Sequence, residues 1–134
     1  MKTKLNSKTV IFFLVAFLSL SFSVKETKAC EIEFEITDNK KEVYNIGDVV
    51  VIKVNVVLTH RNCPTAMKQT KFTMKGLKVV ATTEWKQLST MVWERKLKMQ
   101  VTGTKDGKLV VNAIRTCDKD GGFGSLILNS KPKK

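Results

Sequence analysis

The chain has 134 residues, and its 24 lysines and arginines against 12 aspartates and glutamates give a net charge of +12. This length predicts a single domain. The sequence contains no Cys-x-x-Cys pair, no nucleophile elbow and no glycine-rich phosphate loop. None of the enzyme classes that these motifs identify is indicated, and we expect a protein without catalytic activity.

The start of the chain has the layout of a secretory signal peptide. A lysine-rich segment precedes an apolar run over residues 10–22. Thirteen helical residues at about 1.5 Å each span about 20 Å, which is less than the roughly 30 Å hydrocarbon core of a membrane. The length therefore favours a signal peptide, and a retained membrane anchor is the second interpretation. Small residues within 27–29 predict cleavage before Cys30, and residues 21–23 are an alternative cleavage site.

The domain is therefore expected to span residues 30–134, after a signal peptide over residues 1–29, in the periplasm or outside the cell. Because a cysteine would follow the cleavage point, an alternative is that Cys30 is lipidated and that the protein is an outer-surface lipoprotein. The match to a lipobox is poor, because Thr27 stands where that motif has a large aliphatic residue. Contact with a membrane is expected only through the signal peptide or through a lipid on Cys30.

The positive charge persists in the mature chain. Removing five lysines and one glutamate with the signal peptide leaves 19 basic and 11 acidic residues, a net charge of +8 over 105 residues. Export disfavours nucleic acid as the partner, and the lysines are dispersed among apolar residues, which is typical of a solvated sheet face. Attraction to an anionic surface or an acidic partner is the alternative.

From Cys30 onward, apolar residues recur with a period of two, which is typical of β-strands. In residues 30–37 glutamates alternate with apolar residues. The longest such segment, residues 47–59, places one apolar set on a single face: Val50, Ile52, Val54, Val56 and Leu58. Further strands are predicted over residues 68–74, 77–81, 91–101, 109–116 and 123–129, with a hairpin loop at 102–107 and a frayed tail at 130–134.

One motif resembles a known family. The segment Y-N-I-G-D-V-V-V-I-K-V, residues 44–54, resembles the Y-x-x-G-D-x-V-x-V-x-V pattern of the second strand in bacterial immunoglobulin-like domains. The resemblance implies an immunoglobulin-like fold but no particular function. Strand number and turn spacing also predict an all-β protein, an antiparallel β-sandwich of about seven strands.

Antiparallel strands bring distant residues to the same end of such a sandwich. The first strand starts at Cys30, and the second ends at His60 and Cys63. Four strands later, the strand that starts near residue 109 finishes at Cys117 on the same end. The sequence therefore predicts that the three cysteines and the only histidine gather at one pole.

Three interpretations of this cluster stay open. The first is a disulfide between Cys63 and Cys117, since exported domains keep such bridges, and it would stabilise the fold by about 4 kcal/mol in the chain-entropy model. The second is a site for zinc, copper or iron formed by Cys30, His60, Cys63 and Cys117, with neighbouring carboxylates orienting His60. The third is a catalytic thiol, Cys63 or Cys117, activated by His60.

The loop after Cys117 and one tryptophan are candidates for partner contacts. Asp118, Asp120 and Phe123 belong to a glycine-rich stretch that presents polar groups followed by an aromatic ring. Trp85 lies in a predicted loop and is expected to be exposed, whereas Trp93 lies in phase with core residues.

These observations predict an exported, non-catalytic accessory or binding module with an unknown protein partner. No cofactor is expected beyond the metal ion already considered. The alternative is a periplasmic metal-binding or thiol-redox protein that serves electron transfer or metal handling.

Overall fold

The structure, a computed structural model, describes residues 30–59, 66–116 and 121–134. In this part of the chain the strands are β1 Cys30–Asp38, β2 Val49–Leu58, β3 Lys71–Lys75, β4 Leu77–Thr82, β5 Lys86–Gln87, β6 Val92–Val101, β7 Lys108–Arg115 and β8 Gly122–Asn129. A short 3-10 helix, Met67–Gln69, precedes β3. No helix among these residues is long and apolar enough to cross a membrane.

The strands form two antiparallel sheets, which confirms the predicted all-β class and fits a β-sandwich. The large sheet has the order β1-β2-β6-β4, with β5 paired to β6. The small sheet has the order β3-β7-β8. The predicted hairpin loop at residues 102–107 is wrong, because it joins β6 of the large sheet to β7 of the small one. An alternating pattern predicts which face of a strand is buried, but it does not predict which of the two sheets the strand joins.

The core lies between the inward faces of the two sheets. Four of the five inward residues of β2 that the alternation predicted are fully buried: Val50, Ile52, Val54 and Val56. The fifth, Leu58, is half buried at the end of the strand. The four fully buried residues meet buried residues of β6 and β7: Leu97, Met99, Val101, Leu109, Val111 and Ala113. Each fully buried aliphatic side chain of this kind contributes about 1.5 to 3 kcal/mol of transfer free energy. This burial fixes the register of β2, since a slip of one residue would turn the set to solvent.

Two glycines let β1 of the large sheet lie directly against β8 of the small sheet. A Cβ added at Gly124 would stand 2.6 Å from the carbonyl oxygen of Ile32, and one at Gly122 would stand 2.7 Å from the Cβ of Cys30. Real Cβ atoms do not approach so closely, so glycine is required for this backbone contact. One side of the sandwich is closed in this way.

At the end of the sandwich opposite Cys30, the Tyr44 pole, the chain segments are joined by backbone hydrogen bonds. The amide of Lys131 donates to the carbonyl of Tyr44 at 2.9 Å, and the amide of Lys133 donates to the carbonyl of Thr104 at 2.8 Å. Ser130 donates in the same way to Gly107 at 2.8 Å. The expectation of a frayed tail is therefore wrong, because its backbone groups find partners although its side chains are polar.

Candidate functional site at the Cys30 pole

Cys30 is the first residue of β1 and lies at the end of the sandwich that the sequence singled out. It pairs with Leu58 near the end of β2 and is 0 % exposed. The backbone of Gly122, the first residue of β8, lies against the Cβ and the carbonyl oxygen of Cys30. The start of β1, the end of β2 and the start of β8 thus meet at one place, which we call the Cys30 pole.

Arg115 joins a further segment to this pole. It ends β7, pairs with Gly122 and is 1 % exposed. Its Nη1 donates a hydrogen bond of 2.7 Å to the hydroxyl of Thr70 and another of 3.3 Å to the carbonyl of Ala66. A buried guanidinium is costly unless such acceptors surround it, so Arg115 fixes the segment before β3 against the end of β7.

Arg115 was not among the residues predicted at this pole. Its position continues the inward phase of Leu109, Val111 and Ala113, which was the available signal. When a charged residue follows the buried positions at the end of a strand, the usual expectation is that the strand frays there and that the side chain turns to solvent. The hydrogen bond to Thr70 keeps it inside instead.

The remaining predicted site residues lie outside the described residues. His60 and Cys63 belong to residues 60–65, and Cys117, Asp118 and Asp120 belong to residues 117–120. The described neighbours of both segments are joined at the Cys30 pole: Cys30 with Leu58, and Arg115 with Ala66, Thr70 and Gly122. The strand directions assumed by the prediction hold, and the composite site itself stays a prediction.

Within residues 30–59, 66–116 and 121–134, no group of three or more His, Cys, Asp and Glu side chains is arranged to hold a metal ion. Cys30 is the one cysteine in these ranges, so the expected disulfide between Cys63 and Cys117 falls outside them. The metal, disulfide and thiol interpretations of the cluster remain predictions.

Trp85 is half buried, contrary to the expected exposure. Its ring stacks on Phe72 with centroids 6.5 Å apart, and the guanidinium carbon of Arg95 lies 5.2 Å from the ring centroid. Arg95 also donates a hydrogen bond of 2.8 Å to the carbonyl of Thr83. A cation over an aromatic face contributes about 0.5 to 2 kcal/mol, so Trp85 and Arg95 close the open side of the sandwich beside β3.

The two other aromatic residues that the sequence analysis discussed lie on opposite faces of their sheets. Trp93 pairs with the buried Val56 and is half buried on the inward face of the large sheet. Phe123 is 51 % exposed on the outward face of β8. Of the partner candidates that the structure describes, Phe123 is the one whose ring is available to another molecule.

Comparison of the chain with protein-family models, with curated proteins and with solved structures finds no significant match. The function is therefore inferred from the sequence and from the geometry of the described residues.

Proposed function

We propose that the protein is an exported, immunoglobulin-like binding or accessory module without catalytic activity, and that the Cys30 pole is its working end. The proposal of export follows from the lysine-rich start and the apolar run over residues 10–22. The proposal of a binding module follows from the placement of polar and sulfur-containing residues in two segments next to this pole.

The strand order supports the immunoglobulin-like assignment. Constant-type immunoglobulin domains pair strands A, B, E and D in one sheet and C, F and G in the other. The order β1-β2-β6-β4 with β3-β7-β8 corresponds to that pairing, with β5 as a short addition beside β6. In such domains, loops gathered at one end of a rigid sandwich commonly carry the binding residues.

The observation that carries the proposal is the convergence of segments around Cys30. Leu58 is two residues before His60, and Gly122 is five residues after Cys117. Both lie against Cys30. Loops anchored this closely can be bridged, so a disulfide between Cys63 and Cys117 is the favoured form of the site, and it would make the pole rigid.

The same convergence favours a second candidate function, metal binding or thiol redox chemistry in electron transfer or metal handling. Thiolate and imidazole donors from Cys30, His60, Cys63 and Cys117 suit zinc, copper or iron. Lipidation of Cys30 is disfavoured in both cases. An acylated sulfur has to reach a membrane surface, whereas Cys30 is fully buried and pairs with Leu58.

The test is the intact mass of the protein recovered from the cells that export it, measured under native, non-reducing and reducing conditions. We expect a chain without its first 29 residues and without an acyl group. Under non-reducing conditions its mass should be lower than the reduced mass by two hydrogen atoms, and peptide mapping should join Cys63 to Cys117.

The other outcomes each remove part of the proposal. A mass that retains residues 1–29 contradicts export. A native mass that contains a metal ion, together with three thiols that react with an alkylating agent after denaturation, replaces the disulfide with the second candidate. An added acyl chain on Cys30 contradicts the burial argument.

A further inference from the structure

The outward face of the small sheet carries two rows of apolar residues, which begin beside the Cys30 pole and continue toward the Tyr44 pole. In one row across the sheet, Ile114 of β7 pairs with Phe123 of β8. In a second row, Val110 of β7 pairs with Ile127 of β8. Ile127 is 62 % exposed and Phe123 is 51 % exposed. Paired residues lie side by side on one face, so the face holds two apolar patches.

A polar row separates the two patches. Thr73, Asn112 and Ser125 occupy it, and the hydroxyl of Ser125 donates to the side-chain oxygen of Asn112 at 2.8 Å. The two apolar rows are four residues apart along the strands, or about 13 Å. This spacing suits two separate anchors from a folded partner.

Each apolar row ends in a lysine of β3. Lys71 pairs with Ile114, and Lys75 pairs with Val110. Lys108 adds a third positive charge at the end of β7, where its ammonium group donates to the side chain of Asn129 at 2.8 Å. All outward residues of β3, β7 and β8 are described, and none of them is acidic. Lys75 forms an ion pair with Asp106 at 2.9 Å, which offsets its charge. The face therefore combines apolar patches with a basic border that rests on Lys71 and Lys108.

A groove extends this face toward the Tyr44 pole. Its volume is about 410 Å³, and its lining is Lys40, Lys41, Glu42, Ile127, Leu128 and Asn129. Ile127 belongs both to the groove and to the outer patch. Among the charged residues of the lining, Glu42 is acidic and Lys41 is paired with Asp48 at 2.9 Å, so Lys40 is the basic group offered to a partner. A groove of this kind accepts an anchoring side chain next to a carboxylate.

Charge decides between three occupants of this face. In a symmetric dimer through this face, Lys71 and Lys108 of each copy would oppose those of the other, since such a contact uses the same surface twice. An anionic membrane would have to cover the polar row, whose side chains would then lose their hydrogen bonds to water. A protein with acidic groups around apolar anchors meets both the basic border and the two patches.

We propose that the outward face of β3, β7 and β8, with the adjoining groove, binds a protein whose contact surface has an acidic border around apolar anchors. At about 4.8 Å per strand and about 3.3 Å per residue, the eight-residue strands β7 and β8 and the five-residue strand β3 offer about 330 Å². This is less than half of the roughly 800 Å² that each partner buries in a stable complex. The interaction is therefore weak and reversible unless the partner also covers the groove.

The test places a photo-crosslinking amino acid at Ile127 in the full chain, in the cells that produce and export it. The matched control carries the same group at Val80, which is 56 % exposed on β4 of the large sheet. We expect one discrete adduct from Ile127, absent from Val80, with a protein that mass spectrometry identifies. The purified partner then allows titration calorimetry with the wild type, with Ile127→Asp, with Lys71→Glu/Lys108→Glu and with Val80→Asp.

Both face variants should weaken binding by about tenfold or more, and Val80→Asp should leave it unchanged. Circular dichroism shows whether each variant is folded. An adduct with a second copy, an adduct with lipid, equal adducts from both positions or no adduct overturns the proposal. So does a partner whose affinity is unchanged by the two charge reversals.

Discussion

The two poles of the sandwich are held together by different interactions. At the Tyr44 pole, backbone hydrogen bonds join four chain segments, including the last residues of the chain. At the Cys30 pole the described segments meet through specific side chains: the guanidinium of Arg115, the hydroxyl of Thr70 and the missing side chain of Gly122. A hydrogen bond between backbone groups survives a change of side chain, so substitutions at Lys131 and Lys133 should matter far less than those at Arg115, Thr70 and Gly122. Gly76 and Gly107 are the exceptions at the Tyr44 pole, because both have a positive φ and no room for a Cβ.

The largest difference is expected from the proposed disulfide between Cys63 and Cys117. Its loop exceeds 50 residues, so its removal by Cys63→Ser/Cys117→Ser should lower the free energy of unfolding by about 4 kcal/mol in the chain-entropy model. Denaturation by urea with and without a reductant measures this loss. The double variant should not respond to the reductant, and a wild type that is equally stable in reductant would contradict the disulfide.

Arg115→Met tests whether a single side chain stabilises the described part of the Cys30 pole. Methionine fills much of the same volume but leaves the hydroxyl of Thr70 and the carbonyl of Ala66 without their donor, so we expect a loss of about 2 to 3 kcal/mol. Chemical denaturation gives the value. Lys71→Met is the control, because Lys71 is exposed on the neighbouring strand and its loss should change stability by less than about 0.5 kcal/mol.

An equal effect of both substitutions would show that Arg115 does not anchor the segment before β3. Arg115→Lys separates charge from geometry. Lysine keeps the positive charge and loses the planar group that reaches two acceptors, so only partial recovery relative to methionine is expected.

Gly122→Ala should have a smaller effect of about 1 to 3 kcal/mol, because the new methyl group would stand within 2.8 Å of two atoms of Cys30. Gly124→Ala is the companion variant, since it meets Ile32 instead. Thermal unfolding measures both. If both lower the midpoint and only Gly122→Ala changes the reactivity of the cysteines, the contact with Cys30 shapes the pole. Unchanged stability in both variants would contradict the close packing of β1 on β8.

The sequence predicted the parts of the fold that depend on burial, and it missed those that depend on backbone contacts. The phase of β2 followed from its valines and Ile52, because only one register buries them. The contact of β1 with β8 was not predicted, since Gly122 and Gly124 carry no apolar signal. The ordered tail was missed for a similar reason, because Lys131 and Lys133 are held by their amides.

At the candidate site, too, some features could be predicted from the sequence and others could not. Strand parity placed Cys30 beside the end of β2, and the pairing with Leu58 agrees with that placement. Trp85 was expected to be exposed because its loop has no alternation, yet Phe72 and Arg95 cover its ring. The inward position of Arg115 required knowledge of an acceptor, Thr70, that lies 45 residues away in the chain.

The smallest effect concerns acid at the Tyr44 pole. Hydrogen bonds from Lys75, from Thr104 and from the amide of Lys108 hold the pKa of Asp106 well below its ordinary value. The pKa of Asp48 is lowered by the amide of Asn45 and by Lys41. A lowered carboxyl pKa stabilises the folded state above the unfolded value of about 3.9, and this contribution disappears as the pH falls through the folded value.

Thermal midpoints between pH 6 and pH 2 should therefore decline below about pH 4, and Asp106→Asn/Asp48→Asn should reduce that decline. Asp106 is exposed and Asp48 is only partly buried, so the effect is small beside those at the Cys30 pole. An identical acid response in the double variant would assign the decline to other groups.

The convergence at the Cys30 pole is tested most directly by nuclear Overhauser contacts in solution among the side chains of Cys30, His60, Cys63 and Cys117. The account predicts contacts between the β-protons of Cys63 and Cys117 and from the His60 ring to at least one cysteine, together with backbone contacts between Cys30 and Gly122. Contacts that place Cys117 away from both His60 and Cys63, with Cys30 still against Gly122, would show that the fold is right and that no composite site exists.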